Sequence, residues 1–393
     1  MALSCLSFYL TFPRFSHKII PPEKGLCLVN WLIASRARAP YSCRKQIRFN
    51  LQSSKGEFMR LTHTCLRIAI TIILVASSKF ALGQNPLADL PSPGNVYTNQ
   101  QFGTSPSAAE FNNELWIAYK SNANNALYLT WSSDGTTFST PFVPNSVLSA
   151  VDDGTAPAIA TYSGQLWVAF SNSGLLFITS TSDGVNFAHA QQVIDTSTSV
   201  QIRANGSPTL TVYNGELWLG VVQNGSGSAT AAANYESINP YSGFVPMNVC
   251  SGGATAPNGE MPQTGSAIGM SAVGGNLWFG YQTQGGYLNH NFLACVWNGS
   301  SASYVIPTNS GVPFRAGGGV SAASLGTQVY FFFKNYSNHD LIVLSPFGGF
   351  GDYSGIAING NQQINPGATV FNGHYYVAYT QNNSGHHMYV THD

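Results

Sequence analysis

The chain of 393 residues is poor in charge, since Asp, Glu, Lys and Arg together make up only 8% of it. Cations are scarcest after residue 83, where only Lys120, Lys334, Arg203 and Arg315 stand against 14 carboxylates. A domain with this excess of carboxylates repels nucleic acid and anionic membrane surfaces. We therefore expect no nucleic-acid partner and no stable insertion into a membrane.

Cysteine is also scarce, because only Cys250 and Cys295 follow residue 83. In an oxidising compartment these two could pair, although Cys295 lies in an apolar strand and equally suits a buried thiol. No segment of this region has the apolar period of 3.6 that marks a helix. The G-x-S-x-G turn and the phosphate-binding loop are both absent, which excludes two common enzyme classes. No cofactor is expected.

Residues 1–83 have a different composition, with 12 Lys and Arg against 2 carboxylates. A basic stretch begins at Met59, and the apolar run Ile68–Ala76 and small residues up to Gly83 follow it. This order is typical of a secretory signal peptide, and the apolar run is shorter than the roughly 20 residues that span a bilayer. We predict a signal peptide at 59–83, with an uncleaved anchor helix as the alternative.

The signal peptide defines the remaining boundaries. A signal should begin the chain, so residues 1–58 are expected to be a non-native or disordered upstream segment. Residues 84–393 are then a single secreted or periplasmic domain, which we expect to be a monomer.

This domain is dominated by a unit that occurs six times, each copy built around a short aromatic strand. The copies are Asn113–Tyr119, Gly164–Phe170, Gly215–Val221, Gly275–Tyr281, Gly326–Phe332 and Gly373–Tyr379. Their anchoring aromatics are Trp116, Trp167, Trp218, Trp278, Tyr330 and Tyr376, spaced by 51, 51, 60, 52 and 46 residues. A period near 50 residues made of short strands indicates repeated β units that stack on one another.

Each copy has the parts of a four-stranded antiparallel sheet: a strand of small residues, a tight turn, the aromatic strand, a third strand and a turn into a fourth. Six such sheets predict an all-β fold, a six-bladed β-propeller. The last copy stops after its third strand, Met388–His392, and Asn95–Asn99 is expected to supply the fourth, closing the ring. A β-solenoid is the rival, but its coils are shorter and lack hairpin turns.

Two turns between third and fourth strands, Ser132–Phe138 and Ser182–Phe187, resemble the Asp-box of sialidase-type propellers. They lack one residue between Asp and Gly, and only two of six copies keep the pattern. The whole unit, over residues 95–393, resembles bacterial secreted propeller repeats, which include sialidase-like and lectin-like proteins. The resemblance implies that Asp134 and Asp183 are structural turn residues that lie away from any catalytic face.

Sialidases hold the substrate carboxylate with three arginines, and this domain has only two. Arg203 and Arg315 each precede a first strand, and Asp152, Asp153 and Glu260 occupy the corresponding place in other copies. Because these positions correspond, the charged side chains are expected at one opening of the central channel. There Asp153 and Glu260 could act as the carboxylate pair of a glycosidase. Either arginine would then orient the substrate. The alternative is that these side chains cap turns and balance charge.

The loops between second and third strands favour a binding function. They are rich in amides, which supply a donor and an acceptor together, and they lie beside aromatic residues. Candidate ligand-binding residues, besides Asp152 and the two arginines, are Lys120, Asn122, Lys334, Asn335 and Tyr336. Sugar hydroxyls need such groups, and several weak sites give avidity. Asn and Gly also dominate hairpins for structural reasons.

We therefore predict a secreted, lectin-like protein that binds a glycan or another extracellular ligand. The alternatives are a glycosidase and a protein-interaction scaffold. Fucose-specific propeller lectins use an arginine in several repeats, and this chain departs from that pattern. No metal site is predicted, because His386 and His392 lie roughly 20 Å apart along one strand.

Overall fold

The computed structural model describes residues 94–97, 105–121, 124–144, 151–152, 155–204, 206–224, 230–247, 249–252, 256–257, 261–284, 290–309, 312–346, 350–358, 365–380 and 387–393. The predicted signal peptide, residues 1–58 and the candidate site residues Asn122, Asp153 and Glu260 lie outside this set. Within the set there is one short 3-10 helix, Pro240–Ser242, and no α-helix. Over the same residues, no helix is long and apolar enough to cross a membrane.

The strands are short and follow one another closely along the chain. The first fourteen are β1 (Gly94–Tyr97), β2 (Ser107–Phe111), β3 (Glu114–Lys120), β4 (Leu127–Ser132), β5 (Ala158–Tyr162), β6 (Gln165–Asn172), β7 (Leu175–Thr181), β8 (Gln191–Gln192), β9 (Ile194–Asp195), β10 (Val200–Gln201), β11 (Thr209–Tyr213), β12 (Glu216–Asn224), β13 (Thr230–Ser237) and β14 (Val245–Pro246). The others are β15 (Met261–Pro262), β16 (Gly269–Val273), β17 (Asn276–Gln284), β18 (Phe292–Trp297), β19 (Ala302–Val305), β20 (Thr308–Asn309), β21 (Val312–Pro313), β22 (Ala316–Leu325), β23 (Gln328–Asn335), β24 (Asp340–Leu344), β25 (Phe350–Ala357), β26 (Gly367–Phe371), β27 (His374–Thr380) and β28 (Met388–His392).

In the described part of the chain these strands form six sheets of three or more strands, all antiparallel. In chain order the sheets are β2–β4, β5–β8, β11–β14, β15–β19, β22–β25 and β26–β28 with β1. We call them the first to the sixth sheet. Each contains one aromatic strand of the repeat as its second long strand, flanked by the small-residue strand and the third strand. The repeat in the sequence is therefore a repeat of sheets.

The first strand of every sheet lies against the first strands of its two neighbours. In order, β2 contacts β5, β5 contacts β11, β11 contacts β16, β16 contacts β22, β22 contacts β26, and β26 contacts β2. All six contribute residues to one cavity of about 60 Å³ near their starts, and to another of about 300 Å³ near their ends. The six strands thus surround a common passage.

Small residues permit this close approach. A Cβ atom added to Gly367 would lie 2.4 Å from the carbonyl oxygen of Pro106, so no larger residue fits there. Between the first and sixth sheets, the Ser105 hydroxyl donates to Asn365 Oδ1 at 2.7 Å and accepts from the Asn365 N–H at 2.6 Å. Buried polar groups are thereby satisfied where the sheets crowd together.

The apolar core is divided among the contacts between neighbouring sheets. Separate buried clusters lie between the first and second, second and third, third and fourth, fourth and fifth, fifth and sixth, and sixth and first sheets. The aromatic strands therefore bury both faces, which explains why they are apolar at nearly every position rather than at alternate ones.

The N-terminal strand joins the two ends of the domain. β1 pairs antiparallel with β28, with Gly94 opposite Val390 and Asn95 opposite Tyr389. The strand expected at Asn95–Asn99 thus lies at Gly94–Tyr97. This pairing covers the edge of the last sheet with a segment from the start of the domain, which leaves fewer unpaired backbone groups there.

Three of the fourth strands are shorter than the full strand expected in every sheet. β8 and β14 have two residues each, and in the first sheet the place is taken by a single bridge between Leu129 and Phe142. These are outer edges, and short edge strands limit unwanted pairing with other chains. Proline also interrupts them, as at Pro144 and Pro246.

The Asp-Gly turns and the aromatic anchors contact one another across sheets. Gly184, in the turn after β7, has a φ of 76°, and a Cβ there would lie 2.7 Å from the ring of Trp116 in the first sheet. Gly135 has the same φ, and its Cβ would lie 2.3 Å from the hydroxyl of Tyr376 in the sixth sheet. Each glycine leaves room for the anchor of the preceding sheet.

The cysteines are joined in the structure: the sulfurs of Cys250 and Cys295 are 2.01 Å apart. Cys250 follows β14 of the third sheet, and Cys295 lies within β18 of the fourth. The bond therefore ties two neighbouring sheets.

We predict that Gly184→Ala destabilises the domain by about 1–3 kcal/mol more than Gly164→Ala. Both glycines have positive φ, so both variants carry similar backbone strain, but a Cβ at Gly164 meets no atom within 4 Å. The difference in urea unfolding midpoints measures the clash with Trp116 alone. Equal midpoints for the two variants would contradict this packing.

Candidate functional site

The antiparallel topology gives every sheet two unlike ends. The tight turns after the first strands and the Asp-Gly turns lie at one end, which we call the turn end. The loops between second and third strands lie at the other, the loop end. Arg203 bridges Leu175 at the start of β7, and Arg315 bridges Asn291 just before β18. The two arginines therefore hold matching positions at the loop end, in different sheets.

Arg203 lines a cavity of about 450 Å³ at the loop end, between the second and third sheets. Its lining combines a cation, a carboxylate, an amide, a phenol and aliphatic side chains: Gly174, Asp195, Thr198, Val200, Gln201, Ile202, Arg203, Gln223 and Tyr235. A concave site with a few convergent polar groups is the usual form of a small-molecule site.

One wall of this cavity is the hairpin of β9 and β10, in which Asp195 pairs with Val200. Asp195 Oδ1 accepts hydrogen bonds from Ser197 N at 2.8 Å, Ser197 Oγ at 2.6 Å and Thr198 N at 3.3 Å. Burial acts to raise the pKa of Asp195, but the hydrogen bonds from Ser197 and Thr198 hold it below its usual value. The carboxylate is therefore charged at neutral pH.

Gln223 and Tyr235, on β12 and β13, also line the cavity. Gln223 Nε2 donates to the Tyr235 hydroxyl at 2.8 Å, and Tyr235 is 5% exposed. Burial raises the pKa of Tyr235, and the charge of Asp195 adds to this although the bond from Gln223 opposes it. Tyr235 is therefore a neutral phenol at pH 7, and its hydroxyl can donate a hydrogen bond. The sequence does not identify Tyr235 as a site candidate, because a tyrosine in a third strand is expected to lie in the apolar core.

Arg315 lies in a different setting, against aromatic rings. Its guanidinium carbon is 4.3 Å from the centre of the Tyr336 ring, and Tyr336 also stacks on His290 with ring centres 4.3 Å apart. Gln282 Nε2 and His290 Nδ1 are 2.7 Å apart. Burial lowers the pKa of His290, and the charge of Arg315 lowers it further, so the imidazole is neutral at pH 7.

The two candidate lysines are buried rather than exposed on loops. Lys120 ends β3 and is 3% exposed, and Lys334 has the matching position in β23 and is fully buried. Burial lowers the pKa of Lys334 to about 8. Both side chains therefore lie inside the protein near the loop end.

Two further candidates are engaged in hydrogen bonds with loop residues of the domain. Asp152 accepts from Ser171 Oγ at 2.6 Å, from Ser173 N at 2.5 Å and from Gly174 N at 2.7 Å, so both carboxylate oxygens are engaged. Asn335 Oδ1 accepts from Ser337 N at 2.9 Å. These bonds fit the turn-capping alternative for Asp152.

The residues that resemble an Asp-box form tight turns at the turn end. Asp134 Oδ1 accepts from Thr136 N and Thr137 N at 2.8 and 2.7 Å, and Asp183 Oδ1 accepts from Val185 N and Asn186 N at the same distances. These backbone bonds lower the pKa of both carboxyls. Asn298 makes the same turn in the fourth sheet, with Ser300 and Ser301.

The turn end also contains a pair of carboxyl groups that the sequence did not reveal. Glu216 begins β12, and Glu236 lies on the adjacent β13, opposite Trp218. Burial, together with a hydrogen bond to Glu216 and the charge of Glu216, raises the pKa of Glu236 from 4.5 to about 7. In the second sheet Gln165 and Ser180 occupy the matching places. Among the residues with described positions, no three metal-binding side chains come together.

Known structures with similar folds are β-propellers. The fungal lectin of Aleuria aurantia, a six-bladed β-propeller with a fucose recognition mode, aligns with a TM-score of 0.51 at 13% identity, over 76% of this chain and 93% of that chain. An α-L-arabinanase of Penicillium chrysogenum gives 0.50 at 11% identity, over 77% and 98%. The Hadza microbial sialidase Hz136 gives 0.53 at 11% identity, over 74% and 65%.

At such low identities the likeness concerns the fold alone, and the chain has the fold of a β-propeller. No known protein family matches the sequence. No characterised protein sequence matches it either.

We predict that stability falls as pH rises from 4.5 to 7, and that Glu236→Gln reduces this fall. A carboxyl with a raised folded-state pKa stabilises the fold below its unfolded value, and loses this contribution as pH rises through the folded value. Melting temperatures across this window check the sign. Glu114→Gln, at the matching position of Glu216 in the first sheet, is the control, and identical pH profiles for both variants would contradict the assignment.

Proposed function

We propose that residues 84–393 form a closed six-bladed β-propeller that is exported from the cytoplasm and binds carbohydrate at its loop end. The cyclic contacts of the six first strands and the pairing of β1 with β28 support closure. The bond between Cys250 and Cys295 supports an oxidising compartment, since such bonds persist there.

The observation that carries the binding proposal is the 450 Å³ cavity that contains Arg203, Gln223 and Tyr235. A sugar presents many hydroxyls, each a donor and an acceptor, on a ring with apolar faces. Arg203 and Tyr235 supply donors, Asp195 supplies an acceptor, and Val200, 60% exposed on the rim, supplies apolar surface. The lectin and the glycosidases of similar fold support a ligand of this class.

Asp152, Lys120, Lys334 and Asn335 do not enter this proposal as direct ligand contacts. Their side chains are buried or hydrogen-bonded to other residues of the domain. Arg315 and Tyr336 do not line this cavity and stack on one another, so they are not part of the proposed site.

The alternative function is that of a glycosidase with Asp153 and Glu260 as its carboxylate pair. This alternative rests on the sequence, together with the fold shared with an arabinanase and a sialidase. Binding and hydrolysis can be separated experimentally, because a lectin retains its saccharide unchanged.

We predict that a glycan array identifies a bound saccharide and that Tyr235→Phe weakens its binding about 3–10-fold. The substitution removes one buried hydroxyl that faces the cavity, a loss of about 0.5–1.5 kcal/mol. Calorimetry with the saccharide from the array measures the effect. Tyr389→Phe, in the sixth sheet away from the cavity, should bind like the wild type. Absence of any glycan signal would reject the carbohydrate proposal and favour a protein-interaction scaffold.

The glycosidase alternative has its own test. If it holds, incubation of the protein with the array-positive saccharide releases shorter products, and Asp153→Asn or Glu260→Gln slows release by orders of magnitude, since each carboxyl has an essential role. Under the binding proposal, chromatography shows intact saccharide with all three proteins.

A further inference from the structure

The guanidinium of Arg203 is exposed in the cavity and makes no hydrogen bond or ion pair with any residue that the structure describes. An arginine side chain carries five N–H donors in a fixed plane and no acceptor. Only two arginines follow residue 83, so this one stands out in a domain that is otherwise poor in cations. Its donors are available to an occupant of the cavity.

The carboxylate of Asp195 lines the same cavity without forming an ion pair with Arg203. Its position is fixed by the turn of the β9–β10 hairpin, because Ser197 and Thr198 bind Oδ1. Arg203 is fixed separately by its backbone bridge to Leu175. The backbone therefore places a positive and a negative side chain in the same cavity, and the two do not form an ion pair.

We propose that this cavity binds an acidic saccharide, with the sugar carboxylate on Arg203 and a ring hydroxyl on Asp195. This inference rests on the proposed carbohydrate binding and specifies its ligand. A planar guanidinium binds a carboxylate through two parallel N–H bonds, which a neutral sugar cannot match. A hydroxyl donates to a carboxylate oxygen, and the bonds from the Ser197 and Thr198 N–H groups and the Ser197 hydroxyl all go to Oδ1 of Asp195 rather than to Oδ2.

Arg315 provides a matched comparison. It has the same place in its repeat and the same charge, but its guanidinium stacks on Tyr336 beside His290. Removal of either arginine changes the net charge at the loop end equally. Only the loss of Arg203 removes a cation from the cavity of Asp195 and Tyr235.

The experiment is calorimetry with trisaccharides of galacturonic, glucuronic and mannuronic acid, each beside its methyl ester, which keeps the shape and removes the charge. We expect at least one acid to bind about 10-fold or more tightly than its ester, as hydrogen bonds between charged groups contribute about 1.5–3 kcal/mol. Arg203→Gln should abolish that preference, Arg203→Lys should retain part of it, and Arg315→Gln should change it less than about 2-fold. Melting temperatures of the variants establish that they fold.

The outcomes separate the two proposals. Equal binding of acid and ester, or equal loss in the two glutamine variants, overturns the acidic-saccharide inference and leaves carbohydrate binding intact. Binding of neutral glycans on an array, without binding of any of the three acids, also overturns only this inference. A protein that binds neither the trisaccharides nor any arrayed glycan overturns both.

Discussion

The close approach of the six first strands is the constraint on which the rest of the structure depends. Each of these strands contacts two others, and at Gly367 the backbone of the neighbouring sheet leaves no room for a Cβ atom. Small side chains are therefore required where the backbones of neighbouring first strands approach most closely. Because the axis is narrow, each sheet must bury its apolar residues sideways against its neighbours, which divides the core into separate clusters.

Contacts between neighbouring sheets link the two repeated motifs. The aromatic anchor of one sheet lies beneath the glycine of the next sheet's Asp-Gly turn, as Trp116 does beneath Gly184. The aspartate of that turn fixes the backbone so that the glycine is held over the ring. In the fourth sheet, Asn298 takes the place of the aspartate and makes a similar turn, with Gly299 near Tyr213. The Asp-Gly turn and the aromatic anchor thus pack neighbouring sheets against each other.

The two ends of the sheets differ in how their charges are balanced. At the turn end, Asp134 and Asp183 are satisfied by backbone N–H groups, and Glu216 and Glu236 lie close enough to interact. At the loop end, Arg203 faces a cavity without a partner among the described residues. A group that the fold leaves without a partner is available to a ligand, and this difference between the ends supports the placement of function at the loop end.

The sequence by itself determined the repeat, the all-β class, the positions of the aromatic strands and the turns at Asp134 and Asp183. These follow from local rules, since turn residues and strand periodicity act over a few neighbours. Only the tertiary structure decided that Lys120 and Lys334 are buried, that three fourth strands are reduced to two residues or a single bridge, and that Tyr235 lines a cavity with Arg203. Those facts depend on which sheets meet, and a side chain's exposure is set by its neighbour across the interface rather than by its own strand.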